Sequence, residues 1–172
     1  MCLAHQTDED ASLIYSNLFA CDERLNIIKL KRKNQVVQNS IGFLNEEGYI
    51  SHFSTFKKAA YLNTKGLNTT LKRADDIDLY LKLYDVGKVV WLDKDLYYYR
   101  IHQKGVSSLE NTERAIFERW KIIFNRAEEK GIDVEDYFLK TFVRREQVAY
   151  LLKIDTFIKG TWLFKLIKKS FS

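Results

Sequence analysis

The chain has 172 residues, of which 46% are hydrophobic and 30% are charged, and it contains no proline. This length and apolar content suit one ordinary domain with a core, and they exclude a disordered or linker-rich chain. The formal net charge of +5 indicates anionic partners, among which nucleotide diphosphates, anionic lipids and nucleic acids all qualify.

The cysteines and the N-terminal residues bear on the compartment. Cys2 and Cys21 have neither the spacing of a metal site nor that of a disulfide framework, which favours a reducing cytoplasm. Asp8, Glu9 and Asp10 stand where a signal peptide needs an apolar segment, and no apolar run reaches about 18 residues. We therefore expect a soluble or peripheral protein.

The first part of the chain predicts strands joined by polar loops. The apolar run of residues 13–19 predicts a buried strand, and residues 51–61 have β character through two phenylalanines and a threonine. Residues 29–35 form a basic block, which predicts a solvated loop or, alternatively, a contact with an anionic ligand.

Residues 75–86 predict a helix, because their apolar positions recur at helical spacing. Asp75 is predicted to be its N-cap, and Asp76 and Asp78 complement the positive end of the helix dipole. Gly87 is predicted to stop the helix as a C′ glycine does.

Two short strands are predicted next, at residues 89–92 and 96–101, joined through Asp93-Lys94-Asp95. Beyond residue 108 the pattern becomes helical, with helices at 111–130 and 134–154. Residues 156–171 predict a basic amphipathic segment. It either docks on its own domain with a lysine-rich solvated face or lies on an anionic membrane surface.

The most informative stretch runs from residue 74 to residue 108 and reads ADDIDLYLKLYDVGKVVWLDKDLYYYRIHQKGVSS. It places three carboxylates at the start of a helix, and a loop with Arg100, His102 and Lys104 after the two strands. A carboxylate can take a proton from a hydroxyl, while cations can face a phosphorylated leaving group. This combination suits sugar transfer from a nucleotide donor.

The stretch resembles the inverting GT-A glycosyltransferases of the large family 2, whose members build bacterial cell-surface polysaccharides. Residues 75–79 match the acidic motif of that family, and Gly87 with Lys88 matches the turn after its helix. Residues 96–102 match the aromatic strand that ends in Arg-x-His. Residues 50–66 are a weaker match to the strand before the acidic motif.

The resemblance implies an α/β fold, a partial GT-A fold with a small mixed sheet, helices, and further C-terminal helices. The donor-binding half of the family carries an Asp-x-Asp that holds a divalent metal, and this half has no match in the chain. The acidic cluster of residues 7–10 lacks the apolar strand that should precede it. We therefore expect residues 1–108 to be the acceptor-side half of the domain and residues 109–172 to be a helical extension packed on it.

The resemblance also implies roles for the acidic residues. Asp76 aligns with the general base that takes the proton of the acceptor hydroxyl, and Asp75 takes the place of its acidic neighbour. Asp78 is expected to cap the helix or to support the acceptor site, and His52 to line the acceptor pocket. Spacing alone favours a simple helix-capping role for all three aspartates, and His52 equally suits a structural place in a strand.

For the donor side, the resemblance implies that Arg100, His102 and Lys104 bind the diphosphate, with His102 as a candidate metal ligand. The metal would be Mg²⁺ or Mn²⁺ and would further require an Asp-x-Asp that this chain lacks. Without the resemblance, an Arg-x-His at a strand end is more often a surface pair.

The predicted function is transfer of a sugar, with inversion, from a nucleotide-sugar to a glycan or glycolipid acceptor in the cytoplasm or at the inner membrane face. The alternative is a non-catalytic accessory or binding module derived from such an enzyme. No nucleic-acid partner is expected, because no recognition motif accompanies the basic charge. No zinc pattern, nucleophile elbow, P-loop or dinucleotide fingerprint supports other chemistry.

Overall fold

The computed structural model describes residues 1–102, 105, 111–140, 153–154 and 156–157. Helices and strands both occur, so the fold is mixed α/β, as the sequence predicts at that level. The chain divides into two units, Met1–Ile132 and Asp133–Ser172. The elements are α1 (Cys2–Thr7), β1 (Ala11–Cys21), β2 (Ile27–Lys31), β3 (Ser54–Phe56), α2 (Lys58–Leu62), α3 (Asp75–Val86), β4 (Lys88–Arg100), α4 (Thr112–Lys130) and α5 (Glu135–Phe138).

Strand β1 is the centre of the sheet. It pairs in parallel with β4 along one edge, and with β3 and β2 in antiparallel along the other. Because neighbours cover both edges, every residue of β1 except Phe19 is buried. The buried strand predicted at residues 13–19 is therefore confirmed, and it extends by two residues at each end.

The hydrophobic core lies between β1 and α3. Alternate residues of β1 point to the same side of the sheet, and Leu13 and Tyr15 meet the apolar face of α3 there. Fully burying a leucine or isoleucine side chain contributes about 1.5–3 kcal/mol, so this contact is a main source of stability. The core cluster consists of Leu13, Tyr15, Val36, Ile50, Leu79, Tyr80, Leu83, Tyr84 and Val89.

Helix α3 has the predicted bounds, but both predicted end signals are wrong. The N-cap is Ala74, in the left-handed region at φ 58°, and Asp75 is already helical. Gly87 is extended, with φ −178°, rather than left-handed. A Cβ on Gly87 would lie 2.7 Å from the Cβ of Ser12, so glycine allows α3 to end against β1. The Ser12 hydroxyl donates to the carbonyl of Leu83 at 2.9 Å in this contact.

Strand β4 is continuous, so the prediction of two strands joined through residues 93–95 is wrong. The side-chain amide of Asn17 donates to Asp93 Oδ1 at 2.8 Å and to Asp95 Oδ1 at 3.1 Å. The pairing with β1 shifts register here, since Asn17 lies opposite Asp95 and Leu18 opposite Tyr97. The hydrogen bonds of the buried Asn17 amide thus keep residues 93–95 in the strand, although their sequence resembles a turn.

Two other segments differ from their predictions. Part of the basic block at residues 29–35 belongs to β2, because it pairs with the end of β1. Within residues 51–61 only Ser54–Phe56 is a strand, and α2 follows at Lys58–Leu62. Alanines at positions 59 and 60 favour that helix.

Helix α4 ends at Lys130, where the sequence predicts its end, and Gly131 adopts the left-handed conformation at φ 65°. In the second unit, α5 covers Glu135–Phe138, the start of the helix predicted at 134–154. Most of the remainder of that helix, and most of the amphipathic segment predicted at 156–171, lie outside the described residues. Among the described residues, none of the helices has the length and apolarity that crossing a bilayer requires.

Candidate active site

Asp76 lies in the first turn of α3, with 37% of its side chain exposed. Its Oδ1 accepts a hydrogen bond from the backbone N–H of Ile77 at 2.9 Å. The chain entering this turn is held by Glu118 of α4, whose Oε2 accepts from the N–H groups of Lys72 and Arg73 at 2.8 and 2.7 Å. The backbone around Asp76 is therefore anchored, while the carboxylate remains accessible.

The imidazole of His52 lies beside this carboxylate. Its Nε2 is 3.7 Å from Oδ2 of Asp76, and 41% of the His52 side chain is exposed. His52 comes from the loop before β3, which the pairing of β3 with β1 places in front of α3. A ligand hydroxyl approaching from solvent can thus meet a carboxylate acceptor and an imidazole at the same point.

Aromatic rings of β4 lie next to His52. The ring centroid of His52 is 5.7 Å from that of Tyr99 and 5.9 Å from that of Tyr97, and Phe53 stacks on Tyr97 at 5.8 Å. Tyr97 and Tyr99 share one face of β4, because alternate strand residues point the same way. Their rings combine an apolar face with a hydroxyl edge, a surface suited to a ring-shaped polar ligand.

Tyr80 of α3 belongs to the same group of side chains. The Ser54 hydroxyl donates to its phenol oxygen at 2.8 Å. Burial raises the pKa of Tyr80 to about 12, and the negative charges of Asp76 and Asp75 add to the rise. We refer to these side chains together as the Asp76 cluster: His52, Phe53, Asp76, Tyr80, Tyr97 and Tyr99.

Asp78 is engaged elsewhere. Its Oδ2 lies 2.6 Å from Nζ of Lys82, which also donates to the carbonyl of Gly66 at 2.8 Å. Asp78 borders a groove of about 640 Å³ among α3, α4 and the loop after α2, and the lining of this groove includes neither Asp76 nor His52. Its surroundings are those of a structural ion pair.

Two of the predicted donor-binding residues, Arg100 and His102, lie at the end of β4 and just after it. Arg100 is exposed and pairs with Cys21 across the sheet. The N–H of Ile101 donates to the Cys21 carbonyl at 2.8 Å and extends this pairing by one residue, and His102 follows directly, half-buried. Lys104 lies outside the described residues. Donor binding by Arg100 and His102 stays a prediction.

The structure brings Asp76 and His52 together, and Asp75 precedes Asp76 in the first turn of α3 as an exposed residue. Asp76 contacts His52, and His52 stacks on Tyr99. Tyr99 lies three residues before His102 in the chain. The tyrosines of β4 were not among the predicted site residues. The signal that could have identified them is the aromatic run at positions 97–99, whose first and third members share a strand face.

A divalent metal does not fit the described residues by themselves. Among them, no group of three or more His, Cys, Asp or Glu side chains could hold a metal ion. Asp76 and His52 offer one carboxylate and one imidazole, whereas Mg²⁺ and Mn²⁺ favour several oxygen ligands. In the early acidic run, Asp8 forms an ion pair with Lys88.

No protein-family model matches the sequence, and a search of curated proteins finds no match either. The likeness to glycosyltransferases therefore depends on the motif residues of the chain itself.

Proposed function

We propose that this chain forms the acceptor side of an inverting glycosyltransferase with a GT-A-like fold, in which Asp76 is the general base. One observation carries the proposal. A partly exposed carboxylate at a helix start lies 3.7 Å from the His52 imidazole, beside a surface built from Tyr97 and Tyr99. This is a place where a sugar hydroxyl can be bound and deprotonated.

The side-chain contacts distinguish Asp76 from Asp78 and Asp85, two other aspartates of α3. Asp78 pairs with Lys82, and Asp85 accepts two hydrogen bonds from Arg126. Both carboxylates are therefore occupied by cationic partners. Asp76 lies instead beside the His52 imidazole and stays partly exposed, so its carboxylate is accessible to an acceptor hydroxyl.

The reaction would be a single displacement. The Asp76 carboxylate takes the proton of the acceptor hydroxyl as its oxygen forms a bond to the anomeric carbon of the donor sugar. The bond from that carbon to the nucleoside diphosphate breaks, and the diphosphate leaves with the electron pair. Attack from the face opposite the leaving group inverts the configuration.

Arg100, His102 and Lys104 are proposed to face the departing diphosphate, where positive charge stabilises the transition state. A divalent metal, when bound, would neutralise the same charge. Since the described residues do not form a metal site, its remaining ligands are proposed to come from residues outside this sequence. The transfer is proposed to occur at the cytoplasmic membrane face, on a glycan or glycolipid.

The test compares Asp76→Asn with Asp75→Asn, which removes the neighbouring carboxylate and serves as the matched control. The full chain is incubated with nucleotide sugars and envelope glycan or glycolipid acceptors, and release of nucleoside diphosphate is measured. Loss of a general base lowers the rate by about 10²–10⁴-fold, so this is the loss expected for Asp76→Asn. Asp75→Asn should stay within a few fold of the wild-type chain.

Equal rates for Asp76→Asn and the wild-type chain would contradict the role of Asp76. A wild-type chain that binds glycans but releases no nucleoside diphosphate from any donor would support the non-catalytic binding module instead.

A further inference from the structure

The turn between β1 and β2 exposes large apolar side chains. We call residues 22–28 the hairpin tip. Leu25 is 56% exposed, Ile27 54% and Ile28 62%. Ile27 and Ile28 are consecutive in a strand and so point to opposite faces, yet both are exposed. The hairpin tip therefore presents aliphatic side chains to solvent on both faces.

The hairpin tip is well ordered by its own hydrogen bonds. Asp22 Oδ1 accepts from the N–H groups of Arg24 and Asn26, both at 2.8 Å, and Oδ2 accepts from the Asn26 side chain at 2.8 Å. The N–H of Leu25 donates to the Asp22 carbonyl at 3.1 Å. The hydrogen bonds from Asn26 lower the pKa of Asp22.

Leu25 occupies a backbone position that suits glycine or asparagine. Its φ is 66°, in the left-handed region, where a bulky non-glycine residue is an outlier. The turn thus holds a leucine in an unfavourable conformation and directs its side chain into water. Neither local geometry nor the core accounts for a leucine here, which indicates that the exposed side chain itself has a role.

Positive charge follows directly behind the apolar residues. Residues 22–33 contain five cations and two carboxylates, a net charge of +3. Lys29 and Lys31 are exposed and share a strand face with Ile27. At a rise of about 3.3 Å per residue, they lie about 7 and 13 Å behind it. In a lipid–water interface, apolar side chains insert among the acyl chains and basic side chains lie at the headgroups. The aliphatic residues of the hairpin tip and the lysines that follow them have this arrangement.

Lysines on an edge strand also discourage edge-to-edge pairing with another sheet. That role accounts for Lys29 and Lys31 but not for Leu25 and Ile28, which would promote association. Nucleic acid is a poor match, because binding of single strands uses aromatic rings between cations and the hairpin tip has none. An anionic bilayer accounts for both the aliphatic and the basic residues.

We propose that the hairpin tip docks the protein on an anionic membrane, with Leu25, Ile27 and Ile28 inserted into the interface and Lys29 and Lys31 at the lipid phosphates. The proposal is independent of the sugar-transfer function and of residues 156–171. It assigns membrane contact to the turn between β1 and β2.

The test is co-sedimentation of the full chain with vesicles of equimolar phosphatidylcholine and phosphatidylglycerol, compared with phosphatidylcholine alone. We expect binding to the anionic vesicles that weakens as salt rises from about 0.1 to about 1 M, where the Debye length falls from about 10 to about 3 Å. Leu25→Asn with Ile28→Thr should lower the partition coefficient about tenfold or more, since two aliphatic side chains no longer insert. Lys29→Gln should lower it about fivefold.

Leu62→Asn is the matched control, because Leu62 is 67% exposed at the end of α2, outside the hairpin tip. It should leave vesicle binding unchanged. Leu25→Asn should not lower the melting temperature, because asparagine tolerates the left-handed conformation. The proposal is overturned if the wild-type chain does not bind anionic vesicles, or if the hairpin variant binds as well as the wild type. Equal losses in the hairpin and Leu62 variants, or binding to random oligonucleotides in place of vesicles, would also overturn it.

Discussion

The ion pair between Asp85 of α3 and Arg126 of α4 provides a sharp test of how the two helices are held together. The Arg126 residue is 7% exposed, and its two terminal nitrogens donate to the Asp85 carboxylate at 2.8 and 2.9 Å. Its Nε donates to the carbonyl of Phe43 at 3.0 Å, and its guanidinium lies 6.0 Å from the ring centroid of Tyr84. Asp85→Asn keeps the shape of the side chain, removes its charge and replaces one of its two acceptor oxygens with an NH₂ donor.

The expected loss in the free energy of unfolding depends on the Arg126 charge, which stays buried after the change. Removing one partner of a fully buried ion pair costs about 3–5 kcal/mol, because the other charge is left without compensation. The Asp85 side chain is 34% exposed, and water at that side reduces the cost. Arg126 also keeps its hydrogen bond to Phe43. We therefore expect Asp85→Asn to lower the free energy of unfolding by about 2–3 kcal/mol.

Urea denaturation followed by circular dichroism measures this loss. With an m-value of about 1–3 kcal/mol per molar urea, the midpoint should fall by about 1 M or more. Lys130→Gln is the matched control, because Lys130 Nζ lies 3.3 Å from the same carboxylate but is 36% exposed. Such an exposed pair contributes about 1 kcal/mol or less. If Asp85→Asn costs no more than Lys130→Gln, the reasoning about buried charge is wrong.

The pH dependence has a defined sign. Burial opposes ionisation of Asp85, but the hydrogen bonds and charges of Arg126 and Lys130 together outweigh it and lower the pKa of Asp85 below the usual 3.8. A lowered pKa in the folded state stabilises the protein above the unfolded-state pKa, and this stabilisation is lost as the pH falls through the folded-state pKa. The difference between the wild type and Asp85→Asn should therefore be full at neutral pH and shrink below about pH 4.

Two further predictions concern the core around α3. Gly87→Ala should lower the free energy of unfolding by about 1–3 kcal/mol, because the new Cβ would lie 2.7 Å from the Cβ of Ser12. Combining it with Ser12→Gly should cost less than the sum of the single changes in urea denaturation, and strict additivity would contradict the clash. Burial raises the pKa of Tyr80 to about 12, so stability should be lost as the pH rises from about 10 to about 12. In thermal melts across that pH range, the melting temperature of Tyr80→Phe should fall less than that of the wild type. Some fall should remain in the variant, because burial also raises the pKa of Tyr15.

The sequence alone determined the elements whose signals are local. The apolar run of β1, the bounds of α3 and the end of α4 at Gly131 were all predicted correctly. Apolar runs and helical periodicity involve residues a few positions apart, so they can be read from the chain directly. The motif around Asp76 belongs to the same local level, since its aspartates lie within one helical turn.

Long-range contacts decided the rest. The sequence named Asp76 and His52 as site residues, but only the pairing of β3 with β1 brings His52 to α3, and only β4 supplies the tyrosine rings beside them. Gly87 has its role through Ser12, which is distant in the chain. The continuity of β4 likewise depends on Asn17, whose amide reaches two aspartates far along the chain. These contacts join residues that no local pattern links, because packing and hydrogen bonding across the sheet select them only once the chain has folded.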